Sequence, residues 1–366
     1  MKVMLLHNEI KSFRVPLFKS LSLKYDIDFY CLRKNQSTVD HVSNVHYGRY
    51  FRIPKMQDLE IPLDLWKHLK QKNPDIIIST DLGYAITYIG FMFAKMYNKK
   101  FILWNEQWCD IEHPRRKLTK PFEKYICKKS NLIFAFGEKH GKYAESLGAD
   151  PRKIINVPNA VPDILPSPIS DMDIPWLYDT SLFKIVCPAR LVKFKGHTTV
   201  LDAITKLIGT HSNIRVIFAG SGPELNQLNE LIDSRNLSQY VHITNKTYNS
   251  KERDTLFTYA DLVILASLKT RGVEAWGLVI NEAAMFGKKI IVSDATGTAN
   301  ELVLDNITGR VFDSQNPDSL SECIRSAYEK SLVWNDFAVS IKRRVHDNYS
   351  MDLLIERFEQ TLNRLM

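Results

Sequence analysis

Short apolar runs alternate with longer amphipathic stretches along the whole chain. Short runs rich in Val, Ile, Leu and Phe predict buried strands, and stretches with an apolar residue every three or four positions predict helices. The strands are predicted at residues 3–6, 28–32, 75–79, 101–104, 132–136 and 154–157, and then at 184–187, 215–219, 241–244, 262–266, 289–293 and 309–312. Helices are predicted at 15–24, 84–97, 139–147, 197–207, 224–235, 252–259, 278–286, 317–330 and 351–365.

This alternation is typical of an α/β fold with two Rossmann-like parallel sheets, each covered by helices on both faces. The segment 158–175 holds five prolines and no periodic pattern, so we expect a linker there. We predict an N-terminal domain at 1–165 and a C-terminal domain at 176–347, with the ligand in a cleft between them. The helix at 348–366 either stays with the C-terminal domain or crosses back to the N-terminal one.

The composition is that of an ordinary globular protein. The 366 residues are 45% hydrophobic and 25% charged, which excludes a disordered, collagen-like or disulfide-scaffold protein. Five scattered cysteines fit reduced thiols, and the start of the chain turns polar too early for a signal peptide. The longest apolar stretch, 85–94, is about half a membrane span. We therefore expect a cytoplasmic protein.

The charge is unevenly distributed between the two halves. Residues 1–165 hold 27 basic and 17 acidic residues, whereas residues 166–366 hold 22 and 24. An anionic partner of the first half is expected, which leaves nucleic acid, a membrane surface and phosphorylated ligands open.

The segment Glu-Ala-Trp-Gly-Leu-Val-Ile-Asn-Glu at 274–282 carries the most informative chemistry, because it joins a predicted strand to a predicted helix. Glu274 lies in the loop, and Glu282 lies inside the helix, where it could accept hydrogen bonds from a sugar hydroxyl. The first N–H groups of the helix suit an anion; they belong to Gly277, Leu278 and Val279. The alternative interpretation is that Glu274 is a solvated acidic residue of the loop and that Glu282 is an ordinary helix residue.

Two cations follow the strand predicted at 184–187. Arg190 and Lys195 could hold a diphosphate, Arg through a planar fork and Lys as a point charge, although solvated loop residues are the alternative. A turn with Gly220 and Gly222 follows the next strand, but position 225 is Leu, so the phosphate-binding fingerprint G-x-G-x-x-G is incomplete. A plain strand-to-helix turn is the other interpretation of these glycines.

Five spaced motifs over about residues 183–312 resemble family-four retaining glycosyltransferases of the GT-B fold. They are Arg190…Lys195-Gly196, Ala219-Gly220-Ser221-Gly222-Pro223, Tyr259-Ala260-Asp261, Glu274-x7-Glu282, and Thr296-Gly297-Thr298-Ala299-Asn300-Glu301. The first half is similar to the same family more loosely, at residues 12–18, 73–75 and 157–161.

The resemblance implies a role for each matched position. Glu282 resembles the residue that binds the nucleotide ribose, and Glu274 the one that faces the donor sugar. Arg190 and Lys195 resemble the diphosphate clamp, with Gly222 in the neighbouring turn. The residues in the place where such enzymes hold the base are Lys246 and Thr247. The C-terminal domain is thus expected to bind the nucleotide sugar and the N-terminal domain the acceptor.

The first half departs from the family in two places. Many members have a glycine pair after the first strand, where this chain reads His-Asn-Glu-Ile-Lys-Ser, and Arg14 is expected to supply charge to the donor phosphates instead. Many members also have a catalytic histidine after the strand predicted at 101–104. Here the chain reads Asn-Glu-Gln-Trp, so Glu106 or His113 is the candidate stand-in.

The expected function is therefore metal-independent, retaining transfer of a hexosyl sugar in polysaccharide or glycan assembly. The donor is a nucleotide-diphosphate sugar, with UDP-sugar favoured, and the acceptor is a saccharide or polyprenyl-linked saccharide; no further cofactor is expected. Asp-x-Asp pairs occur at 26–28 and 171–173, in places unsuited to a metal site. The alternatives are a nucleotide-sugar epimerase or hydrolase and a non-catalytic partner subunit.

A basic segment at 113–129 indicates which anionic partner the positive charge of the first half would bind. Its seven Lys and Arg residues alternate with apolar ones, as in a helix that lies on an anionic membrane surface. The alternative is a solvated helix whose apolar stripe packs on the first sheet. Nucleic acid is not expected, because no recognised binding motif accompanies the basic residues.

Overall fold

A computed structural model of the chain describes residues 1–35, 41–52, 60–110, 114–164, 171–270 and 274–365. The chain divides into two compact units. The first comprises Met1–Pro162 together with Ser350–Met366, and the second comprises Asp163–Tyr349. The C-terminal helix thus belongs to the first unit.

The first unit begins with strands and helices in alternation. Its strands are β1 (Lys2–Glu9), β2 (Asp26–Arg33), β3 (Val45–Tyr47), β4 (Tyr50–Arg52), β5 (Glu60–Pro62), β6 (Ile76–Thr80), β7 (Lys100–Asn105), β8 (Leu132–Ala135) and β9 (Ile154–Asn156). Its helices up to this point are α1 (Val15–Lys24), α2 (Leu65–Lys72), α3 (Ala85–Met96), α4 (Pro114–Lys129) and α5 (Glu138–Ser146).

The second unit repeats the alternation. Its strands are β10 (Phe183–Cys187), β11 (Ile214–Phe218), β12 (Val241–Ile243), β13 (Leu262–Leu265), β14 (Lys289–Ser293) and β15 (Arg310–Phe312). Its helices are α6 (His197–Thr205), α7 (Leu225–Ser234), α8 (Ser250–Tyr259), α9 (Leu278–Met285), α10 (Pro317–Glu329) and α11 (Ser331–Asn348). The chain ends with α12 (Met351–Leu365).

Each unit is built on a parallel sheet. The first sheet has the order β3-β2-β1-β6-β7-β8-β9 and the second the order β12-β11-β10-β13-β14-β15. Every pairing within these two sheets is parallel. The predicted α/β fold with two parallel sheets is confirmed. Because parallel strands share their carboxyl edge, the loops that follow adjacent strands lie together.

The helix α12 is held to the first unit by aromatic packing and by polar contacts. The ring of Phe358 stacks on Phe134 at 4.2 Å between centroids and meets Trp104 edge-on at 4.9 Å. The ammonium of Lys24 on α1 lies 2.7 Å from the carboxylate of Glu359. The buried rings account for the place of this helix, since burial of aromatic surface is a large stabilising contribution.

All twelve predicted strands are present, and their ends differ from the predicted ones by at most three residues. The strands β3, β4 and β5 were not predicted, because each has three residues and is too short to show a period. The helices α2 and α11 were not predicted either; α11 follows α10 without a breaking residue. Among the described residues, no helix is long and apolar enough to cross a membrane.

Candidate functional site

The predicted donor-site residues of the second unit follow four strands that are adjacent in its sheet, in the order β12-β11-β10-β13. Lys246 and Thr247 follow β12, Gly222 follows β11, Arg190 and Lys195 follow β10, and Glu274 and Gly277 follow β13. The carboxyl edge of one sheet therefore carries all of these residues. Glu282 and the pair Leu278 and Val279 lie on α9, which begins at this same edge.

Lys195 and Glu274 form an ion pair through the Lys Nζ and Glu Oε2 atoms. They are 79 residues apart in the chain, and both side chains are mostly buried. The hydroxyl of Ser267 also donates to Glu274 Oε2, at 3.1 Å. Behind Lys195, Gly196 has a φ of +70°, and a Cβ there would lie 1.9 Å from the carbonyl oxygen of Ala266. Only glycine lets the Lys195 loop approach the end of β13 this closely.

The backbone beyond Glu274 is held against the loop that follows β14. Gly297 N–H donates to Glu274 O at 3.0 Å. Gly277 then begins α9 with a φ of +97°, and a Cβ there would lie 2.5 Å from Leu265 Cδ2. The turn thus depends on glycine, and α9 begins beside Glu274, since the same added Cβ would lie 3.6 Å from Glu274 Cγ.

Glu282 is largely buried and pairs with Arg253 on α8. Nη1 of Arg253 donates to Glu282 Oε1 at 2.9 Å, while Nε and Nη2 donate to Oδ1 of the buried Asp254 at 3.0 and 2.7 Å. Burial raises the pKa of Glu282, and the Arg253 guanidinium opposes that rise. Arg253 therefore fixes Glu282 in position and favours its ionised form. The sequence gives no signal for this residue, which lies in an ordinary polar helix.

We expect Arg253→Met to weaken UDP binding about tenfold, because a carboxylate that loses its charge-assisted hydrogen bond is less well oriented and less ionised. Arg253→Lys should recover part of the affinity, since it keeps the charge but loses the fork. Isothermal titration calorimetry with UDP measures both. Arg235→Met is the matched control, because Arg235, at the end of α7, pairs with Asp202 on α6 of the same unit at 2.7 Å. Wild-type UDP affinity in Arg253→Met would exclude this positioning role.

The remaining donor-site residues are more exposed. Arg190 is exposed, and no described carboxylate lies within ion-pair distance of it. Lys246 Nζ donates to Glu252 Oε1 at 2.8 Å, and Thr247 is exposed beside it. A Cβ on Gly222 would lie 2.3 Å from the carbonyl oxygen of Leu191. Gly222 therefore serves the close packing of the Arg190 loop; its predicted contact with the donor stays a prediction.

Two predicted residues, Arg14 and Glu106, lie in the first unit and contact each other. Arg14 Nη2 donates to Glu106 Oε1 at 3.4 Å and to Asn159 Oδ1 at 3.0 Å. The guanidinium carbon lies 4.9 to 5.0 Å from three ring centroids, which belong to Phe13, Trp104 and Phe136. Burial lowers the pKa of Arg14 to about 10 and raises the pKa of Glu106. The alternative stand-in His113 lies outside the described residues.

Comparison with known proteins identifies the family of the second unit. The family described as glycosyl transferases group 1 matches residues 175–344. An uncharacterized glycosyltransferase of Methanocaldococcus jannaschii is 22% identical over 98% of this chain and 86% of its own length. A GDP-mannose-dependent alpha-(1-6)-phosphatidylinositol monomannoside mannosyltransferase of Mycobacterium tuberculosis is 29% identical over 43% of this chain and 40% of its own length.

Solved structures agree in fold over the whole chain. The crystal structure of Anabaena HepE in complex with UDP superposes with a TM-score of 0.81 at 16% identity and covers 100% of both chains. Sucrose-phosphate synthase from Thermosynechococcus elongatus has a TM-score of 0.79 at 14% identity, over 100% of this chain and 99% of its own. The resemblance found in the sequence, and the GT-B fold expected from it, are confirmed.

Proposed function

We propose that this chain, whose residues 175–344 match the glycosyl transferases group 1 family, is a glycosyltransferase that catalyses the following reaction. The enzyme moves a hexosyl residue from a UDP-sugar to a hydroxyl of a saccharide or polyprenyl-linked saccharide, with retention of configuration and without a metal ion, in glycan assembly. The observation that carries this proposal is the buried Lys195–Glu274 ion pair beside the glycine-initiated start of α9.

The cations of the site stabilise the diphosphate as it leaves the sugar. As the anomeric C–O bond breaks, negative charge builds on the leaving diphosphate. Lys195, Arg190 and the N–H groups at the start of α9 stabilise that charge better as it grows, which lowers the barrier. Each 1.4 kcal/mol of such stabilisation is about tenfold in rate. Glu274 faces the sugar and holds Lys195 in place until the donor enters.

Retention is proposed through a front-face displacement. The acceptor oxygen forms a bond to the anomeric carbon on the face from which the diphosphate leaves, and its proton passes to a leaving phosphate oxygen. A double displacement would need a nucleophile on the opposite face of the sugar, and no residue of the chain is assigned that role in this proposal. Glu106 of the first unit is proposed to assist the acceptor in place of a histidine.

A thermal-shift panel of UDP-, GDP- and ADP-sugars tests the donor assignment. A ligand at 100 times its dissociation constant adds about 2.7 kcal/mol of stability, so a bound donor raises the melting temperature clearly. We expect the largest rise with UDP-sugars. Absence of any response to nucleotide sugars would overturn the proposed function, and a larger response to a GDP-sugar would overturn the choice of base.

We further propose that α4 brings the enzyme to an anionic membrane surface. The apolar stripe of α4 packs inside the first unit, where Ile126 and Cys127 are buried, as the alternative interpretation expected. However, Leu118 is 85% exposed and Tyr125 47% exposed. The ring of Tyr125 meets Phe91 of α3 at 5.7 Å, next to the exposed Met92. This exposed apolar area lies among lysines, as in interfacial helices.

The basic residues of α4 do not all serve the same purpose. Arg116 forms an ion pair with the buried Glu123 at 2.8 Å, and Lys120 pairs with Asp110. The charges of Arg116 and Lys120 are therefore used in ion pairs within the first unit. Four exposed lysines on the helix are left for a membrane; they are Lys117, Lys124, Lys128 and, at the last position of the helix, Lys129.

We expect the triple change of Lys117, Lys124 and Lys128 to Gln to reduce binding to vesicles that contain phosphatidylglycerol, because each lysine near such a surface contributes about 1 kcal/mol. Cosedimentation measures the bound fraction. A control with the same loss of charge replaces three exposed lysines of the second unit, Lys251, Lys330 and Lys342, and should bind as the wild type does. Equal binding by both triple variants would contradict the role of α4.

A further inference from the structure

A polar cluster at the carboxyl edge of the first sheet is not explained by the donor chemistry. It consists of Asn8 at the end of β1, Arg14, Asp81 after β6, and Glu106 and Gln107 after β7. The strands β1, β6 and β7 are neighbours in the sheet, so these side chains come from one stretch of its edge. Sequence reasoning found two of the five. Asp81 and Gln107 lie two and three residues after the strands predicted at 75–79 and 101–104, and this position at a strand end is the signal that could have identified them.

Asp81 is held firmly through one carboxylate oxygen. Its Oδ1 accepts hydrogen bonds from Leu82 N at 2.6 Å and from Gln107 Nε2 at 2.7 Å. Its own N–H donates to Trp104 O at 2.8 Å, which ties the residue to the end of β7. No described residue donates to Oδ2. On that side lies the exposed Gly83, whose added Cβ would be 3.9 Å from Oδ2.

Buried polar atoms around Asp81 also lack partners. Gln107 is 7% exposed, and its Oε1 accepts no hydrogen bond from the described part of the chain, although its Nε2 is bound to Asp81. Asn8 Oδ1 and Arg14 Nη1 are likewise buried and without a partner there. Buried polar atoms are almost always hydrogen-bonded, so three such atoms beside one carboxylate point to a ligand that completes them.

The atoms of the cluster that lack a hydrogen-bond partner indicate which chemical class of ligand would bind. Three are acceptors, namely Asp81 Oδ2, Gln107 Oε1 and Asn8 Oδ1, and one is a donor, Arg14 Nη1. Arg14 pairs with Glu106 at 3.4 Å and the nearby Arg116 pairs with Glu123 at 2.8 Å, so Asp81 forms no ion pair with a described residue. A cluster of acceptors with a negative balance favours neutral groups that donate hydrogen bonds, and disfavours phosphate or carboxylate.

We propose that Asp81, through Oδ2, binds a hydroxyl of a neutral saccharide, the acceptor of the transfer. Gln107 fixes the carboxylate of Asp81, and Arg14 fixes that of Glu106; both are positioning residues. The identification of this saccharide as the acceptor rests on the proposed function. The binding of a saccharide by Asp81 does not depend on the donor. It assigns Arg14 to the cluster, where its guanidinium is enclosed by aromatic rings, instead of to the donor phosphates.

The ionisation of Asp81 agrees with this role. Burial raises the pKa of Asp81 to about 6, with a further rise from the charge of Glu106, while Arg116 and Gln107 oppose it. The phenol of Tyr84 also faces Asp81. Above this pKa the carboxylate is ionised and accepts a stronger hydrogen bond from a hydroxyl. Saccharide binding should therefore weaken as the pH falls through about 6.

Saturation-transfer difference NMR on the full chain with saturating UDP tests the proposal. The probes are the methyl glycosides of glucose, galactose, mannose and N-acetylglucosamine, compared with the 6-phosphates of the same sugars. We expect at least one neutral glycoside to bind, the phosphates to bind less well, and Asp81→Asn to weaken glycoside binding about tenfold or more. The control Asp26→Asn changes an exposed aspartate at the amino edge of the same sheet and should have no effect.

A second variant covers the case in which Asp81→Asn does not fold. Gly83→Ala adds a methyl group at ordinary contact distance from Asp81 Oδ2, so it should fold and still narrow the approach to that oxygen. Unchanged glycoside binding in these variants, no binding of any neutral glycoside, or stronger binding of the phosphates would overturn the proposal. Calorimetry with UDP distinguishes failure of the donor assignment from failure of the Asp81 proposal. If the wild-type protein does not bind UDP, the donor assignment is overturned, but the proposed saccharide site at Asp81 is not.

Discussion

Glu274→Gln should lower kcat about a hundredfold while leaving the affinity for UDP close to that of the wild type. The substitution keeps the size of the side chain and its contacts with Lys195 and Ser267, but it removes the charge that pairs with the ammonium of Lys195. Loss of one preorganised electrostatic group at a reacting centre costs about that factor in rate. UDP has no sugar for Glu274 to face, so its binding should be spared.

Transfer rates at saturating donor, together with calorimetry for UDP, give the two quantities. Glu230→Gln is the matched control, because Glu230 is exposed on α7 of the same unit. Normal turnover in Glu274→Gln would remove Glu274 from the reaction. A large loss of UDP affinity with unchanged kcat would instead place Glu274 at the nucleotide.

Glu282→Ala should have the opposite signature, with a loss of UDP affinity of about tenfold or more. The variant removes a carboxylate that is proposed to accept hydrogen bonds from the ribose hydroxyls. Arg253 keeps its two hydrogen bonds to the buried Asp254, at 3.0 and 2.7 Å, so the neighbouring helix should stay in place. The KM for the donor should rise in step with the dissociation constant of UDP.

Calorimetry with UDP and with uracil measures this effect and locates it. Uracil lacks the ribose, so its weak binding should not change in Glu282→Ala. Glu230→Ala again serves as the control for the loss of a glutamate. Wild-type affinity for UDP in Glu282→Ala would show that the ribose is bound elsewhere.

Much of the fold can be predicted from the sequence, because the hydrophobic period of a strand or a helix is visible in residues that are close together in the chain. The twelve strands of more regular pattern were predicted in place, as was the turn at Gly277 that starts α9. The edge strand β3 and the pair β4 and β5 were not, because three residues contain too little of a period. Their pairing depends on the surface that the neighbouring elements offer.

The sequence by itself determined which residue types the donor site contains, since the spacing of Glu274 and Glu282 and the two cations after β10 can be seen in the chain. Only the tertiary structure decided the partners. Lys195 meets Glu274 across 79 residues, Arg253 meets Glu282 across 29, and Arg14 meets Asn159 across 145. Such pairs form because parallel sheets bring the carboxyl ends of distant strands to one edge, and no local pattern records which side chains meet there.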